Sequence, residues 1–269
     1  MQAFDFYDKK AKNQIDYNTT KTYDENFILT IPHAGTLVPN NMQDYFKLES
    51  LALRDTDLFT DQLFDINQGI HITHYLNRYV LNVNRPRLRG QAVNVYEEED
   101  SIHNFLKDMT LSLKKELTQK QRNYLLNFYD EYHTLIEKAH DEILKKHGFV
   151  LHIDCHSMNS VADKNTPDKG KRPHISIGTN ARTTASDKAT NAIVNAFKQS
   201  RFEVVEDIPY KSGYTANRYG RPKQNIHAIQ IEINKDIYMN EQTLKPKNIE
   251  EVRDIIAFSI AQTFNELQQ

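Results

Sequence analysis

Short apolar, β-branched runs alternate along this chain with longer stretches whose apolar residues recur every three or four positions. Runs of the first kind are Phe27–Ile31, His71–Tyr75, Tyr79–Val83, Phe149–Asp154, His174–Thr179, Phe202–Val205 and Ile226–Asn234. Bounded by turn residues, they read as buried strands. Pro32 cannot donate to a sheet ladder, so the first run should stop there, with Gly35 permitting a tight turn. A turn through Leu76, Asn77 and Arg78 separates the second and third.

Helical periodicity covers about 55–67, 103–116, 118–147, 185–199 and 247–267. In the third, Tyr124, Leu125, Phe128, Tyr132, Leu135, Ile136, Ala139 and Ile143 form one apolar face. His133 and His140 are expected to face water or cap neighbouring side chains. Lys145, Lys146 and His147 before Gly148 make a helix stop. Strands alternating with helices predict an α/β fold. There is no internal repeat or linker, so residues 1–269 are expected to form a single domain, with 1–25 a loosely packed lead-in.

A length of 269 residues supports a substantial core, and a formal net charge of −2 gives no electrostatic case for nucleic acid or anionic membrane. One cysteine, Cys155, excludes an intrachain disulfide framework. Residues 1–12 lack the apolar stretch of a secretory signal, and no run approaches a membrane span. The expectation is a soluble, cytoplasmic protein.

Chemistry gathers where the strands end. The central run Phe149–Asp154 leads into Cys155, His156, Ser157 and Met158. In an open α/β sheet, ligands bind beyond the carboxyl ends of the strands. His33 stands at a second strand end, and Glu232 interrupts a strongly β-forming run, a costly placement unless it is paired or used. Asp55 and Asp57 lie at the mouth of a helix, where either could cap it or turn toward a metal. Asp61 and Asp65 continue the spacing of Asp57 and read as a solvated face. Two histidines and a carboxylate would leave zinc an open position for water, and a further glutamate could move the proton. Asn84 and Arg85 could clamp a carboxylate or an oxyanion, whereas Arg87 and Arg89 read equally well as surface arginines. Cys155 points away from His156 by strand alternation and reads as structural. Ser157 lacks a nucleophile elbow and reads as an orienting hydroxyl or turn cap. The loops 159–172 and 210–222 are polar and lie where specificity segments often do.

Several of these stretches together resemble the N-formylglutamate amidohydrolases. They are Ile31–Gly35, Asp55–Asp57 with Asp61–Phe64, Asn77–Pro86, Asp154–Met158, Gly213–Pro222, His227–Glu232 and Tyr238–Glu241. The resemblance implies a three-layer α/β/α fold with a mixed sheet, phosphorylase/hydrolase-like and related to zinc carboxypeptidases. It implies one Zn(2+) held by His33, His156 and a carboxylate. A carboxypeptidase places a Glu three residues after the first zinc His; here that position is Thr36, so Asp57 is chosen, with Asp55 as fallback. Glu232 becomes the general base, with Arg85 also catalytic. Asn84, Arg85, Arg78 and Tyr214 become the substrate-binding set. The acidic stretch Tyr96–Asp100 departs from the family's Thr/Gly-rich loop.

The expectation is hydrolysis of the C–N bond of a small acidic N-acyl amino acid, with N-formyl-L-glutamate as the lead candidate. The alternatives are a peptidase or cell-wall amidase on the same fold, or a binding protein without catalysis.

Overall fold

β4 (Val150–Met158) and β7 (Ile226–Asn234) lie side by side in parallel, with His156 opposite Glu232 and Asp154 opposite Gln230. The other strands are β1 (Asn18–Thr22), β2 (Ile28–Ile31), β3 (Ile70–His74), β5 (Ile175–Gly178) and β6 (Val204–Glu206). The computed structural model describes residues 16–47, 53, 55–88, 100–102, 105, 111–164, 166 and 168–269. Among these, seven strands form one mixed sheet in the order β1-β3-β2-β4-β7-β5-β6. The inner four are mutually parallel, while β1 and β5 run antiparallel to their neighbours β3 and β7. The carboxyl ends of β2, β4 and β7 therefore open on one edge.

Helices cover both faces, which gives the expected three-layer α/β/α arrangement. On one face Leu151, Ile153 and Cys155 of β4 pack with Ile229, Ile231 and Ile233 of β7. Above them lie α3 (Asp187–Phe197), α5 (Ile249–Gln268) and the single turn α1 (Thr60–Leu63). On the other face Ile28, Ile70, Ile72 and Val150 meet α2 (Gln119–His147) and α4 (Tyr214–Tyr219). Burial on both sides explains why these strands are almost continuously apolar. A capping box of Thr118 and Gln121 starts α2, and Gly148 ends it at φ 75° in the left-handed region.

Several expectations need correction. Residues 18–22 are no loose lead-in but the edge strand β1, paired with β3; residues 1–15 lie outside the described set. An edge strand meets water, so its polar composition hides it from a hydrophobic pattern. Tyr79–Val83 is buried but not a strand: Asn77 Oδ1 accepts from Tyr79 N, and Asn77 O accepts from Val80 N and Leu81 N, curling the segment into turns. The helix expected over 55–67 shrinks to α1. It is preceded by Phe59 at φ 66° instead of an aspartate cap. That break separates Asp57, which is buried, from Asp65, which takes surface bonds from Lys21 Nζ at 2.7 Å and Tyr23 OH at 2.6 Å. The loop 210–222 contains α4. The helix expected over 103–116 is not formed at 111–116, where Leu113 and Leu111 make isolated bridges to Phe46 and Phe105; residues 103, 104 and 106–110, with Arg89 and residues 96–99, lie outside the described residues.

His133 and His140 face inward, not to water: they are 3% and 7% exposed, on the stripe of α2 that carries Tyr129 and Ile136. Burial lowers the pKa of His140 to about 4, and that of the fully buried His74 to about 3. The native forms therefore stay neutral where the unfolded chain, titrating near 6.5, takes up protons. Stability from these two groups is complete above about pH 6.5 and falls as pH drops towards 4. The slope is on the order of 1.4 kcal/mol per pH unit for each. Urea unfolding midpoints at pH 7, 6, 5 and 4.5 should decline accordingly; a flat profile would contradict the neutral buried state.

Candidate metal centre and active site

Pro32 ends β2 and sends His33 over the carboxyl edge, while β4 runs on to carry His156 to the same place. Gly35 makes this turn possible: a Cβ there would collide with the carbonyl groups of Tyr75 and Leu76. The Asp57 amide donates to His33 O at 3.0 Å, which draws the third side chain in. His33, Asp57 and His156 form a buried group whose three candidate ligand atoms lie within 4.8 Å of one another. Asp55 takes no part in it: its Oδ2 accepts from Tyr79 OH at 2.5 Å.

The ring nitrogens can be assigned from their partners. His33 Nε2 donates to Asn82 Oδ1 at 2.8 Å, which leaves Nδ1, buried and without a hydrogen bond, as the lone-pair atom. That atom stands 3.6 Å from Asp57 Oδ2. His156 Nε2 donates to Asp154 Oδ2 at 3.0 Å, and its Nδ1 lies 3.1 Å from the same Asp57 oxygen. Two imidazole nitrogens thus converge on one carboxylate oxygen. Lone pairs so placed repel unless a cation, a proton on His156 or a metal ion, lies among them.

The residue model of the N-formylglutamate amidohydrolases matches residues 25–239, which include all of these side chains. The chain belongs to that family. Membership makes it an amidohydrolase. Two curated relatives bear the name N-formylglutamate deformylase. The one from Pseudomonas aeruginosa is 26% identical over 230 residues, covering 80% of this chain and 82% of the relative. The one from Pseudomonas putida is 24% identical over 228 residues, with the same coverage. The fold superposes on an N-formylglutamate amidohydrolase from Ralstonia eutropha with a TM-score of 0.80 at 18% identity, covering 93% of this chain and 98% of that one. A protein from Agrobacterium tumefaciens gives 0.70 at 14% identity, covering 94% and 96%.

In this amidohydrolase the donor set suits a divalent transition metal: two neutral imidazole nitrogens and one carboxylate oxygen, buried, with Nδ1 of His33 otherwise unsatisfied. Without a metal the proton goes to His156. Burial opposes its charging, but the Asp154 and Asp57 carboxylates prevail and push its pKa up to about 10. Burial, aided by the Arg78 charge, holds His33 well below its usual value. Burial would raise the Asp57 pKa, yet the His156 and His33 rings beside it hold it well below the usual carboxylate range.

Of the remaining expected residues, Glu232, Arg78 and Asn84 adjoin this group. Glu232 is 7% exposed on the neighbouring strand, its Oε1 accepting from Gln230 Nε2 at 2.8 Å. The Arg78 guanidinium lies 4.0 Å from Asp57 Oδ1 and donates to Asp55 O at 3.2 Å. Asn84 Oδ1 accepts from Thr215 N and Oγ1, both at 2.8 Å, which turns its amino group toward Asp154 and His156. Half-buried Arg85 follows, with Tyr129 OH donating to its carbonyl at 2.9 Å. Tyr214 is buried at the start of α4 and takes a bond from Arg218 at 3.0 Å. Arg87 turns away, to Asp130 of α2 at 2.7 Å. Cys155 is buried in the opposite core, and Ser157 contributes its amide to Asp57 at 3.2 Å. Asn82 and Gln230 escaped the sequence reading. Each is separated by one position from an expected residue, Asn84 and Glu232, and that spacing was the available signal.

A cavity of about 290 Å³ opens nearby, lined by Leu58, Asn159, Lys235 and Glu241 among others. None of the three converging side chains lines it, so it adds nothing to the chemistry above. No helix among the described residues is long and apolar enough to cross a membrane.

Proposed function

We propose that this chain, acting as one catalytic domain, is a zinc-dependent deformylase that hydrolyses N-formyl-L-glutamate to L-glutamate and formate. The observation that carries the metal dependence is the convergence of His33 Nδ1, His156 Nδ1 and Asp57 Oδ2. The name shared by the two Pseudomonas relatives supports the substrate. Bound by these three residues, zinc would supply Lewis-acid character and lower the pKa of water at the site.

Glu232 takes the proton of the attacking water and hands it to the departing amine nitrogen. Gln230 fixes one of its oxygens for that exchange. Arg85 stabilises the developing oxyanion or holds a substrate carboxylate, and an amino proton of Asn84 beyond the one used by Asp154 serves the same end. Arg78 and Tyr214 complete the acidic substrate's binding set, the former as a cation at the edge of the metal group. With Arg78 and Arg85 assigned to the substrate, a dicarboxylate ligand would find a cation for each of its carboxylates.

Release of the free amino acid, measured across N-formyl and N-acetyl amino acids with formate assayed for the N-formyl series, tests the assignment. N-formyl-L-glutamate should give the highest kcat/KM, with N-acetyl-L-glutamate far behind. Equal turnover of N-formyl-L-leucine would overturn the acidic specificity, and no formate from any substrate would overturn the reaction.

A further inference from the structure

The even-numbered face of β4 carries a buried polar series that runs away from the metal group, into the layer beneath α2. Asp154 Oδ1 lies 2.9 Å from Thr30 Oγ1 on β2. Thr30 Oγ1 lies 2.9 Å from His152 Nε2, and His152 Nδ1 lies 3.0 Å from His140 Nε2. Thr30, His152 and Asp154 are 0% exposed, and His140 is 7% exposed.

These contacts have one consistent direction. A carboxylate only accepts, so the single Thr30 hydroxyl proton goes to Asp154. The hydroxyl oxygen must then accept from His152, which fixes the proton of that ring on Nε2. Its Nδ1 becomes the acceptor for His140 Nε2–H. At the other end His156 Nε2 stands 3.0 Å from Asp154 Oδ2 and 2.9 Å from the Asn84 amino group; the charged carboxylate takes the ring proton and Asn84 donates to Asp154 Oδ2 instead, leaving His156 Nδ1 toward Asp57. Reversing either the Thr30–His152 or the His152–His140 bond would set the Thr30 lone pairs against the carboxylate at 2.9 Å. Burial lowers the pKa of both His140 and His152, in keeping with neutral rings of fixed tautomer.

We propose that Thr30, His152 and His140 are positioning residues, a directed hydrogen-bond string that locks Asp154 and through it presents Nδ1 of His156 to the metal. The proposal rests on the reading of His156 as a ligand. A carboxylate behind a metal-bound histidine is itself a common device; here the carboxylate is held in turn by three further side chains from β2, β4 and α2. A purely structural role would leave zinc affinity unchanged when the string is cut in a folded protein.

Two measurements decide. Long-range 1H–15N correlation spectra of the zinc-loaded parent should show His140, His152 and His156 all protonated at Nε2. An Nδ1–H tautomer at His152 overturns the string, with no variant needed. Zinc affinity, read by competition with a chromogenic chelator, should fall about 10-fold in Thr30→Val and stay within about 3-fold of the parent in Thr30→Ser. A folded Thr30→Val with parental affinity also overturns it. His156→Ala separates the two levels: parental zinc affinity there would remove the ligand reading itself, and the string with it.

Discussion

Glu232→Gln is expected to lower kcat/KM for N-formyl-L-glutamate by about 10³-fold while leaving zinc content at the parental level. The amide keeps the shape of the carboxylate, and its oxygen can still accept from Gln230 Nε2. It cannot take a proton from water. Glu232 is also a buried acid on a central strand, with Ser176 of β5 on one side and His156 on the other. Removing its charge relieves a desolvation cost, so the thermal midpoint should hold or rise. A residue kept for stability would show the opposite pair of results. Steady-state kinetics with metal analysis on one preparation checks both, and activity within about 3-fold of the parent would remove Glu232 from the mechanism.

The sheet's parallel centre was legible because strands buried on both faces must be apolar almost throughout. A polar side chain there is conspicuous: His156 and Glu232 stand out for that reason, and their register pairing follows from it. His33 was found through Pro32, which marks a strand end without reference to tertiary structure. The same logic fails where burial does not coincide with regular structure. Tyr79–Val83 has the composition of a strand, yet the Asn77 side chain and carbonyl bend it into turns that bring Asn82 to His33. At β1 the error is reversed, since an edge strand needs no apolar face. The acidic spacing of Asp57, Asp61 and Asp65 predicted one helical face, but Phe59 in a left-handed conformation breaks it, and only Asp57 turns inward. Nor does periodicity show which polar residues on an inner face answer one another. His140 and His152 are separated by 12 positions and a helix end, and their pairing is a tertiary fact.

Asp57→Asn is expected to abolish the response of stability to zinc, whereas Asp55→Asn is expected to keep it. Zinc at 100 times its dissociation constant stabilises a native site by about 2.7 kcal/mol. The variant asparagine retains an oxygen but not the charge, and charge matters most where the other two donors are neutral imidazoles. Its affinity should fall by well over 100-fold, so the same zinc concentration shifts its melting temperature hardly at all. In the metal-free state the loss is different. Asp57 then faces the protonated His156 at 3.1 Å, His33 at 3.6 Å and the Arg78 guanidinium at 4.0 Å. Neutralising it leaves Asp154 alone to balance His156 and takes a carboxylate from Arg78, a cost of about 3 kcal/mol. The Asp55 carboxylate is instead tied to Tyr79 OH at 2.5 Å. Paired thermal scans with zinc and with chelator therefore give two independent signs for Asp57: a lower midpoint without metal and a lost increment with it. A full zinc increment in Asp57→Asn, or its loss in Asp55→Asn, would transfer the ligand assignment to Asp55.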